Sequence, residues 1–390
     1  MLTGYSRRLL GLGLVAILAL VACTAAPRPS ATPLASLDTD SKALYERALV
    51  TLYSASDRFA YPAAVDALTD LIERYPTFGA ARLHAAYAAS KVGRYDAMAE
   101  HLEQASRYPA SLSPRERLWL AALSQRADDE PFAEVDAWRK VTTMHPGDRW
   151  AWYELASTLS RVERYREAAD AAGQAIAQEP NTERWEASWL FYLRSKALYR
   201  SGQYAAAIRA ANPGQANRTT WRSTFYRRAL AEARLDPTLV PALVDEYRAI
   251  SAAEGRNNAA YTEANIALFY YELGDFAAAV DFAKASWDAQ PSGYAAWSLA
   301  FALIESGKAD AALAFIDQSA TAFETNSFLQ VARGWALYRL GRLDDSLDAL
   351  NKAAELSSRW QYLIDFALRT VQRANAQPDL APAPPIAWLG

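Results

Sequence analysis

Apolar side chains along most of the chain follow the spacing of an α-helix. Trp152, Leu155 and Leu159 are separated by three and four residues, which places them on one helical face. Ala168 and Ala175 lie two helical turns apart in the next segment. Most Gly and Pro residues fall between such segments, and the sequence has no run of alternating apolar and polar residues typical of strands. These patterns predict an all-α protein.

The helical pattern repeats with a period of 34 residues. The same residue type recurs at this interval in three places: Tyr61 and Tyr95, Pro146 and Pro180, and Gly307 and Gly341. A period of this length indicates helical hairpins that stack side by side, each contacting only its neighbours. Such an array needs no single large core, so a chain of 390 residues can form one elongated stack.

The second helix of each repeat carries the clearest motif. The motif runs from a turn glycine through an aromatic or large apolar residue and further apolar residues, mostly alanine, to a final proline. Its four clearest copies are Gly93, Tyr95, Leu102, Ala105 and Pro109; Tyr165, Ala168, Ala175 and Pro180; Gly274, Phe276, Ala279, Ala283 and Pro291; and Gly341, Leu343, Leu350 and Ala353. A glycine allows a tight turn, small alanines allow close helix packing, and proline ends the helix. This motif resembles the tetratricopeptide repeat.

The resemblance predicts an all-α, α/α superhelical solenoid of about nine hairpins between residues 41 and 357. The units that begin near Ala43, Arg115 and Ser223 are assigned by position because their motifs are degenerate. A helix over 360–375 has one apolar side and is predicted to cap the array. The proline-rich segment 376–390 is predicted to be a disordered tail.

One irregularity interrupts the array at Asn212-Pro213-Gly214. It predicts a seam between an N-terminal block, residues 41–211, and a C-terminal block, residues 219–375, with bending between them. The alternative is an insertion in a surface loop.

The first residues predict export and a membrane anchor. Segment 1–22 carries Arg7 and Arg8, followed by an apolar run that ends directly before Cys23. The order Leu20, Val21, Ala22, Cys23 resembles the bacterial lipobox, in which the cysteine is lipidated, and Cys23 is the only cysteine. The alternative is a retained N-terminal helical anchor. Segment 23–40, with three prolines among small residues, is predicted to be a disordered linker.

The lipoprotein resemblance also predicts a location. In a bacterium with two membranes it implies the periplasmic face of the outer membrane, because Thr24 is not the aspartate associated with inner-membrane retention. In a bacterium with one membrane it implies the outer face of the cell membrane. The net charge of −3, which becomes more negative when Arg7 and Arg8 leave with the leader, disfavours nucleic acid as a partner.

The sequence favours no catalytic chemistry, metal or cofactor. His84, His101 and His145 are the only histidines, and their spacing does not match a zinc helix. No glycine-rich phosphate loop or nucleophile elbow is present in the sequence. The acidic run Asp128 to Glu130 precedes Pro131 and is interpreted as solvated charge between helices.

The resemblance implies a concave groove lined by the first helices, and this sequence would fill that groove with aromatic and basic residues. The predicted groove residues are Trp119, Trp150, Tyr153, Arg161, Trp189, Tyr192, Lys196, Tyr199, Arg200, Tyr294, Trp297, Phe301, Trp335, Tyr338 and Arg339. Trp and Tyr provide large contact areas at low entropic cost. The alternative for each ring is burial between repeats.

A further resemblance fails. Chaperone-tail clamps of this family use Asn with Lys or Arg in the first helices, whereas the corresponding positions here are Ser157, Lys196, Leu268, Phe301 and Trp335. The sequence therefore predicts a non-enzymatic, lipid-anchored envelope scaffold that binds a polypeptide, either an extended segment or a helix. Two alternatives stay open: a glycan-binding lipoprotein of exopolysaccharide or cell-wall assembly, and an accessory subunit of a solute transporter.

Overall fold

A computed structural model describes residues 31–54, 60–91, 94–128, 130–179, 185–211, 221–253, 259–323, 326–356 and 361–376. Within these ranges every regular element is helical. No helix among the described residues is long and apolar enough to cross a membrane. The predicted leader, Cys23, the linker as far as residue 30 and the tail from residue 377 lie outside the described residues.

The described helices form nine consecutive pairs and a closing helix. The first helices of the pairs are α1 Thr39–Ser54, α3 Gly79–Lys91, α5 Pro114–Ala127, α7 Arg149–Arg161, α9 Trp185–Arg200, α11 Trp221–Leu235, α13 Ala259–Leu273, α15 Gly293–Glu305 and α17 Ser327–Arg339. The second helices are α2 Ala60–Arg74, α4 Tyr95–Ser106, α6 Pro131–Met144, α8 Tyr165–Ala177, α10 Tyr204–Ala211, α12 Val240–Ala253, α14 Phe276–Ala289, α16 Ala309–Phe323 and α18 Leu343–Leu356. The closing helix is α19 Gln361–Ala376. The predicted all-α array of nine hairpins with a terminal capping helix is confirmed.

The turn within each hairpin explains the recurrent glycine. Gly274 and Gly341 have φ angles of 86° and 75°, in the left-handed region where a side chain is disfavoured. In the fourth hairpin this position is held by Glu163, with φ of 61°. The turn geometry is therefore kept where the glycine motif is lost, which is why the sequence period weakens without a change of fold.

Polar N-terminal caps fix the starts of the first helices α5 and α7. Ser113 accepts a hydrogen bond from the backbone N–H of Glu116, and the Glu116 carboxylate accepts one from the backbone N–H of Ser113, at 3.2 and 2.7 Å. This reciprocal capping box starts α5, one of the units with a degenerate motif. Asp148 starts α7 in a simpler way, by accepting from the backbone N–H of Ala151.

The buried apolar residues form two clusters that meet on α13. Ile266 and Phe269 belong to the cluster that runs from Leu37 to this helix, and Ala267 and Tyr271 belong to the cluster that continues to Val371. The predicted seam falls mainly in 212–220, outside the described residues. Helices α10 and α11, on either side of it, pack against each other. The division into blocks 41–211 and 219–375 stays a prediction.

Contacts between units define an inner layer of first helices. Among the described helices, first helix packs on first helix between neighbouring units, as in the pairs α9 and α11, α13 and α15, and α15 and α17. No pair of second helices packs together to a comparable extent in the described part of the chain. The first helices therefore lie closer to one another than the second helices do, which places them on the inner, concave side of the stack.

Substitution of Gly334 tests how closely the helices of a hairpin approach. A Cβ atom at this position in α17 would lie 2.6 Å from Cγ of Leu350 and 3.2 Å from the backbone oxygen of Ser346. Alanine normally stabilises a helix interior relative to glycine, by about 0.5–1 kcal/mol. We expect Gly334→Ala instead to lower the free energy of unfolding by about 1–3 kcal/mol, because the backbone oxygen cannot move away. Chemical denaturation measures the change.

Gly173→Ala in α8 is the matched control. Its added Cβ would meet only the Arg194 guanidinium group, at 3.5 Å, which is ordinary van der Waals contact. We expect a gain of about 0.5–1 kcal/mol at this position. Equal effects of the two substitutions would show that α17 and α18 are less closely packed than described.

Candidate partner-binding face

The inner layer carries an aromatic residue near the start of most first helices. Five first helices have an aromatic residue 11 positions before the charged residue at or next to the helix end. The pairs are Trp150 and Arg161, Trp189 and Arg200, Tyr261 and Glu272, Tyr294 and Glu305, and Phe328 and Arg339. Tyr153, Tyr192, Tyr226 and Trp297 lie 8 residues before that residue in α7, α9, α11 and α15. Because these positions recur from unit to unit, the rings form one strip across the inner layer, here called the aromatic ladder.

Rings of the aromatic ladder contact each other within and between helices. Trp189 and Tyr192 of α9 meet edge to face, with centroids 5.7 Å apart. Tyr261 of α13 stacks on Tyr294 of α15 at 5.3 Å, and Trp297 of α15 stacks on Phe328 of α17 at 5.4 Å. Trp189 and Tyr261 are each 44% exposed. The aromatic ladder therefore offers apolar surface that is fixed in place by its own packing.

The charged ends of the first helices form a second strip. Lys91, Arg126, Arg161, Arg200 and Arg234 are the last or next-to-last residues of α3, α5, α7, α9 and α11, and this set is here called the basic track. Eleven residues make close to three helical turns. In α7 and α9 the basic-track residue therefore lies on the same side of the helix as the ladder ring 11 residues earlier, about 16 Å along the helix axis.

In the N-terminal units the basic track is held by two buried glutamates. The Glu134 carboxylate of α6 accepts hydrogen bonds from Arg126 at 2.8 Å and from the Trp138 indole at 3.0 Å, and it also pairs with Arg161. The Glu154 carboxylate of α7 accepts from Arg126 at 2.6 Å and also pairs with Lys91. Both carboxylates are no more than 1% exposed. The network joins α3, α5, α6 and α7 through charge-assisted bonds.

The pKa values of these groups follow from that pairing. Burial alone would raise the pKa of Glu154, but the positive charges of Lys91 and Arg126 outweigh it and hold the pKa at about 2. Burial also acts against ionised Glu134, and Arg126 and Arg161 nevertheless lower its pKa. Both glutamates are therefore anionic at neutral pH.

An aromatic core lies beneath the ladder in the same units. The Trp119 ring meets Tyr87 at 5.4 Å and Trp138 at 5.1 Å, and all three side chains are buried. Tyr53 contacts both Trp119 and the half-exposed Trp150, so it connects the core with the ladder. The Trp119 indole donates to the Asp148 carboxylate at 2.9 Å. Trp119 therefore supports α7 from inside.

In the middle of the array, α9, α11 and α13 bring cations and tyrosines together. The Arg227 guanidinium donates to the Glu272 carboxylate at 3.2 Å and to the Tyr192 hydroxyl at 3.3 Å. Arg234 donates to the Tyr199 hydroxyl at 3.3 Å and to the backbone oxygen of Glu272 at 2.6 Å. Tyr199 is buried, whereas Tyr192 is half-buried. This group includes Tyr192 of the aromatic ladder and Arg234 of the basic track, so it connects the two strips.

The C-terminal units have a different charge pattern. Glu305 replaces a cation at the end of α15 and accepts hydrogen bonds from the Trp335 indole at 2.8 Å and from Arg339 at 2.9 Å. Arg339 lies over the Trp335 ring, 5.4 Å from its centroid. These contacts lock the end of α17 against α15.

The structure divides the sequence-predicted groove residues into core and surface. Five of the rings are buried and belong to the packing between helices: Trp119, Tyr199, Trp297, Phe301 and Trp335. The others keep exposed surface: Trp150, Tyr153, Arg161, Trp189, Tyr192, Lys196, Arg200, Tyr294, Tyr338 and Arg339. The five buried rings are out of a partner's reach in this conformation because neighbouring helices cover them.

The structure adds residues that the sequence analysis did not select. Tyr226, Tyr261 and Phe328 complete the aromatic ladder, and Lys91, Arg126 and Arg234 complete the basic track. The three cations mark the ends of their helices, and counting back 8 or 11 residues from the charged end of a first helix finds the three rings, but this register requires that the helix ends are known. Among the described residues, no three His, Cys, Asp or Glu side chains are placed to hold a metal ion.

Comparisons with known proteins give only structural likeness. No protein-family model and no curated protein matches the chain. It is similar to the tetratricopeptide-repeat domain of P58(IPK), with 16% identity and a TM-score of 0.27 over 87% of this chain and 90% of that one. It is also similar to a tetratricopeptide-repeat protein from Parabacteroides merdae, with 14% identity and a TM-score of 0.39 over 66% and 98% of the two chains.

A third likeness is to the C-terminal part of a repeat protein from Cytophaga hutchinsonii, with 14% identity and a TM-score of 0.39 over 64% and 96% of the two chains. The assignment of tetratricopeptide-like hairpins rests on the helix pairs, their turns and the layer of first helices.

The buried glutamates predict how stability depends on pH. The pKa of Glu154 is about 2 in the folded chain and 4.5 ordinarily, so its contribution is complete above pH 4.5 and is lost as the pH falls towards 2. We expect Glu154→Gln to lower the free energy of unfolding by about 3 kcal/mol at pH 7, because Lys91 and Arg126 lose a buried counter-charge. Urea denaturation of both proteins measures this difference.

The same pair of proteins provides the control. The difference between wild type and Glu154→Gln should shrink as the pH is lowered below 4.5, because Glu154 of the unfolded wild-type chain then binds a proton, whereas in the folded chain it stays ionised until the pH approaches 2. A difference that stays constant down to pH 3 would show that the carboxylate charge does not stabilise the network.

Proposed function

We propose that this protein is a lipid-anchored envelope scaffold whose inner face binds a polypeptide without chemical turnover. The observation that carries the proposal is the aromatic ladder, in which Trp150 of α7, Trp189 of α9 and Tyr294 of α15 occupy the same position on their first helices and keep exposed surface. A strip of this kind matches an extended chain or a helix that crosses several repeats.

The energetics favour a protein partner. Rings that are already packed, such as Trp189 against Tyr192, lose little conformational freedom on binding, so the burial of their exposed surface favours association. The basic track gives the strip a charged edge, and an apolar strip with a basic edge complements a polypeptide that carries both apolar and acidic side chains. The membrane anchor would raise the effective concentration of partners at the same surface.

A glycan partner is the second hypothesis, and a capture experiment distinguishes it from a polypeptide partner. The chain, purified with its anchor from membranes, would be used to capture partners, and the captured material would be analysed for both protein and polysaccharide. Polysaccharide without protein would replace the first proposal with the second.

Substitution of the aromatic ladder tests whether the inner face holds the partner. We expect Trp150→Ala and Trp189→Ala each to weaken partner capture by about tenfold or more, as truncation of an aromatic anchor does. Trp189 is 44% exposed, so the midpoint of thermal unfolding of its variant should change little. Trp150 also packs against the core, so the same measurement checks that its variant is folded at the temperature of the capture experiment. Quantitative mass spectrometry of the captured proteins measures the loss.

Phe132→Ala provides the matched control. Phe132 is 66% exposed, but it lies on the second helix α6, outside the inner layer. We expect this substitution to leave capture unchanged. Equal losses for Phe132→Ala and Trp189→Ala would exclude the inner face as the binding surface.

The anchor is tested at Cys23. We expect Cys23→Ala to move the protein from the membrane fraction to the soluble fraction and to abolish incorporation of a labelled fatty acid, because lipidation requires the thiol. Mass spectrometry of the mature N-terminus gives an independent measurement. A wild-type protein without a lipid-modified cysteine would reject the anchor and leave the groove proposal to be decided by the aromatic variants.

A further inference from the structure

Cations are concentrated at the ends of first helices. A Lys or Arg lies in the last turn of six first helices within the described residues: Lys91, Arg126, Arg161, Arg200, Arg234 and Arg339. Among the second helices only α2 and α10 have one, Arg74 and Arg209. The helix dipole favours a cation at the end of any helix, so it does not explain this asymmetry. The basic track belongs to the inner face specifically.

In the N-terminal units the cations of the basic track bind carboxylates. There Lys91, Arg126 and Arg161 surround the carboxylates of Glu134 and Glu154, which come from the same chain. The spacing of successive first helices thus places cations where a glutamate side chain can bridge two of them. In α3 to α7 the protein supplies these carboxylates itself.

The charge pattern reverses two units later. The position compared is the one seven residues before the basic-track residue of each helix. It holds Glu154 in α7, Leu193 in α9 and Arg227 in α11. An internal carboxylate is therefore replaced by a cation at the corresponding position of α11. Glu272 of α13 pairs with Arg227 at 3.2 Å, while Arg234 donates to a backbone oxygen and a tyrosine hydroxyl.

The tyrosine and lysine beside this group respond to its positive charge. Burial would raise the pKa of Tyr192, but the charges of Arg227 and Lys196 lower it below its ordinary value. Burial lowers the pKa of Lys196; Tyr192 opposes that change, and Arg227 adds to it. Trp189 lies one turn before Tyr192 and is 44% exposed, so a cationic site adjoins exposed aromatic surface.

We propose that the α9 to α11 section, formed by Lys196, Arg200 and Arg234, binds the side-chain carboxylates of an acidic segment of the partner polypeptide, which also crosses Trp189, three helical turns before Arg200 on α9. This specificity rests on the proposed function and narrows its ligand. The chain's own glutamates at the equivalent place in α5 to α7 are the reason for choosing a polypeptide carboxylate. Apolar residues of the same segment would pack on the aromatic ladder.

The direct test is the fluorescence anisotropy of a labelled oligoglutamate peptide with the full chain in detergent micelles. We expect it to bind more tightly than an oligoglutamine peptide of equal length and to weaken as the salt concentration rises. Lys196→Gln and Arg234→Gln should each weaken binding and raise the Kd by about tenfold. Arg234 is exposed, so its variant is expected to fold, which the midpoint of thermal unfolding checks.

Arg209→Gln is the matched control, because it removes one positive charge from the exposed end of the second helix α10. Its Kd should stay close to that of the wild type. The proposal is overturned if Arg209→Gln weakens binding as much as Arg234→Gln, or if oligoglutamate does not bind. It is also overturned if an anionic oligosaccharide such as oligogalacturonate binds and oligoglutamate cannot displace it.

Capture from membranes separates this proposal from the broader one. If capture of the natural partner depends on Trp189 but not on Lys196 or Arg234, the polypeptide groove stands and its acidic specificity is wrong. If it depends on none of the three, both proposals are wrong.

Discussion

The close packing of each first helix against its neighbours is the constraint on which the rest of the structure depends. Between Ala295 and Ala302 of α15 every side chain is buried, because α13, α14, α16 and α17 surround the helix. Small residues make this approach feasible. The Ser346 hydroxyl of α18, for example, donates to the backbone oxygen of Gly334 in α17 at 2.7 Å, at a point where even a methyl group would not fit. With its middle enclosed, a first helix has mainly its two ends to offer a partner.

This constraint explains why aromatic and charged groups separate into two strips. A ring near the start of a first helix can pack on the next unit and keep one exposed face, as Tyr261 and Tyr294 do. A cation at the end can extend beyond the last turn towards solvent or towards a carboxylate of a neighbouring helix. Where that carboxylate is internal, as Glu134 is, the pairing adds stability between units. The proposed acidic segment would place an external carboxylate in the same geometry.

The sequence was sufficient for the features that depend on local geometry. The turn at Gly341 and the 34-residue period predicted the hairpins, because a left-handed turn and a repeated helix length are fixed within one unit. Exposure was harder to predict. Trp119 and Trp150 both lie on first helices, yet one is buried and the other half-exposed, because exposure depends on how closely the adjacent unit approaches. Glu134 is an acidic residue in the first turn of α6, a position that is favourable for a carboxylate without any burial, and only the fold shows that α5, α6 and α7 enclose it.

The net charge of the chain differs in sign from the local charge of the α9 to α11 section of the inner face. The sum of −3 predicts no preference for anions, and it disfavours binding to the dense phosphate charge of nucleic acid. Charge acts over about one Debye length, however, so a partner in the groove responds to the local arrangement and not to the sum. Around Tyr192 that arrangement is positive enough to outweigh the effect of burial on the hydroxyl. A repeat protein can therefore be acidic as a whole and still select acidic segments, because each first helix places one residue of its last turn in the same row.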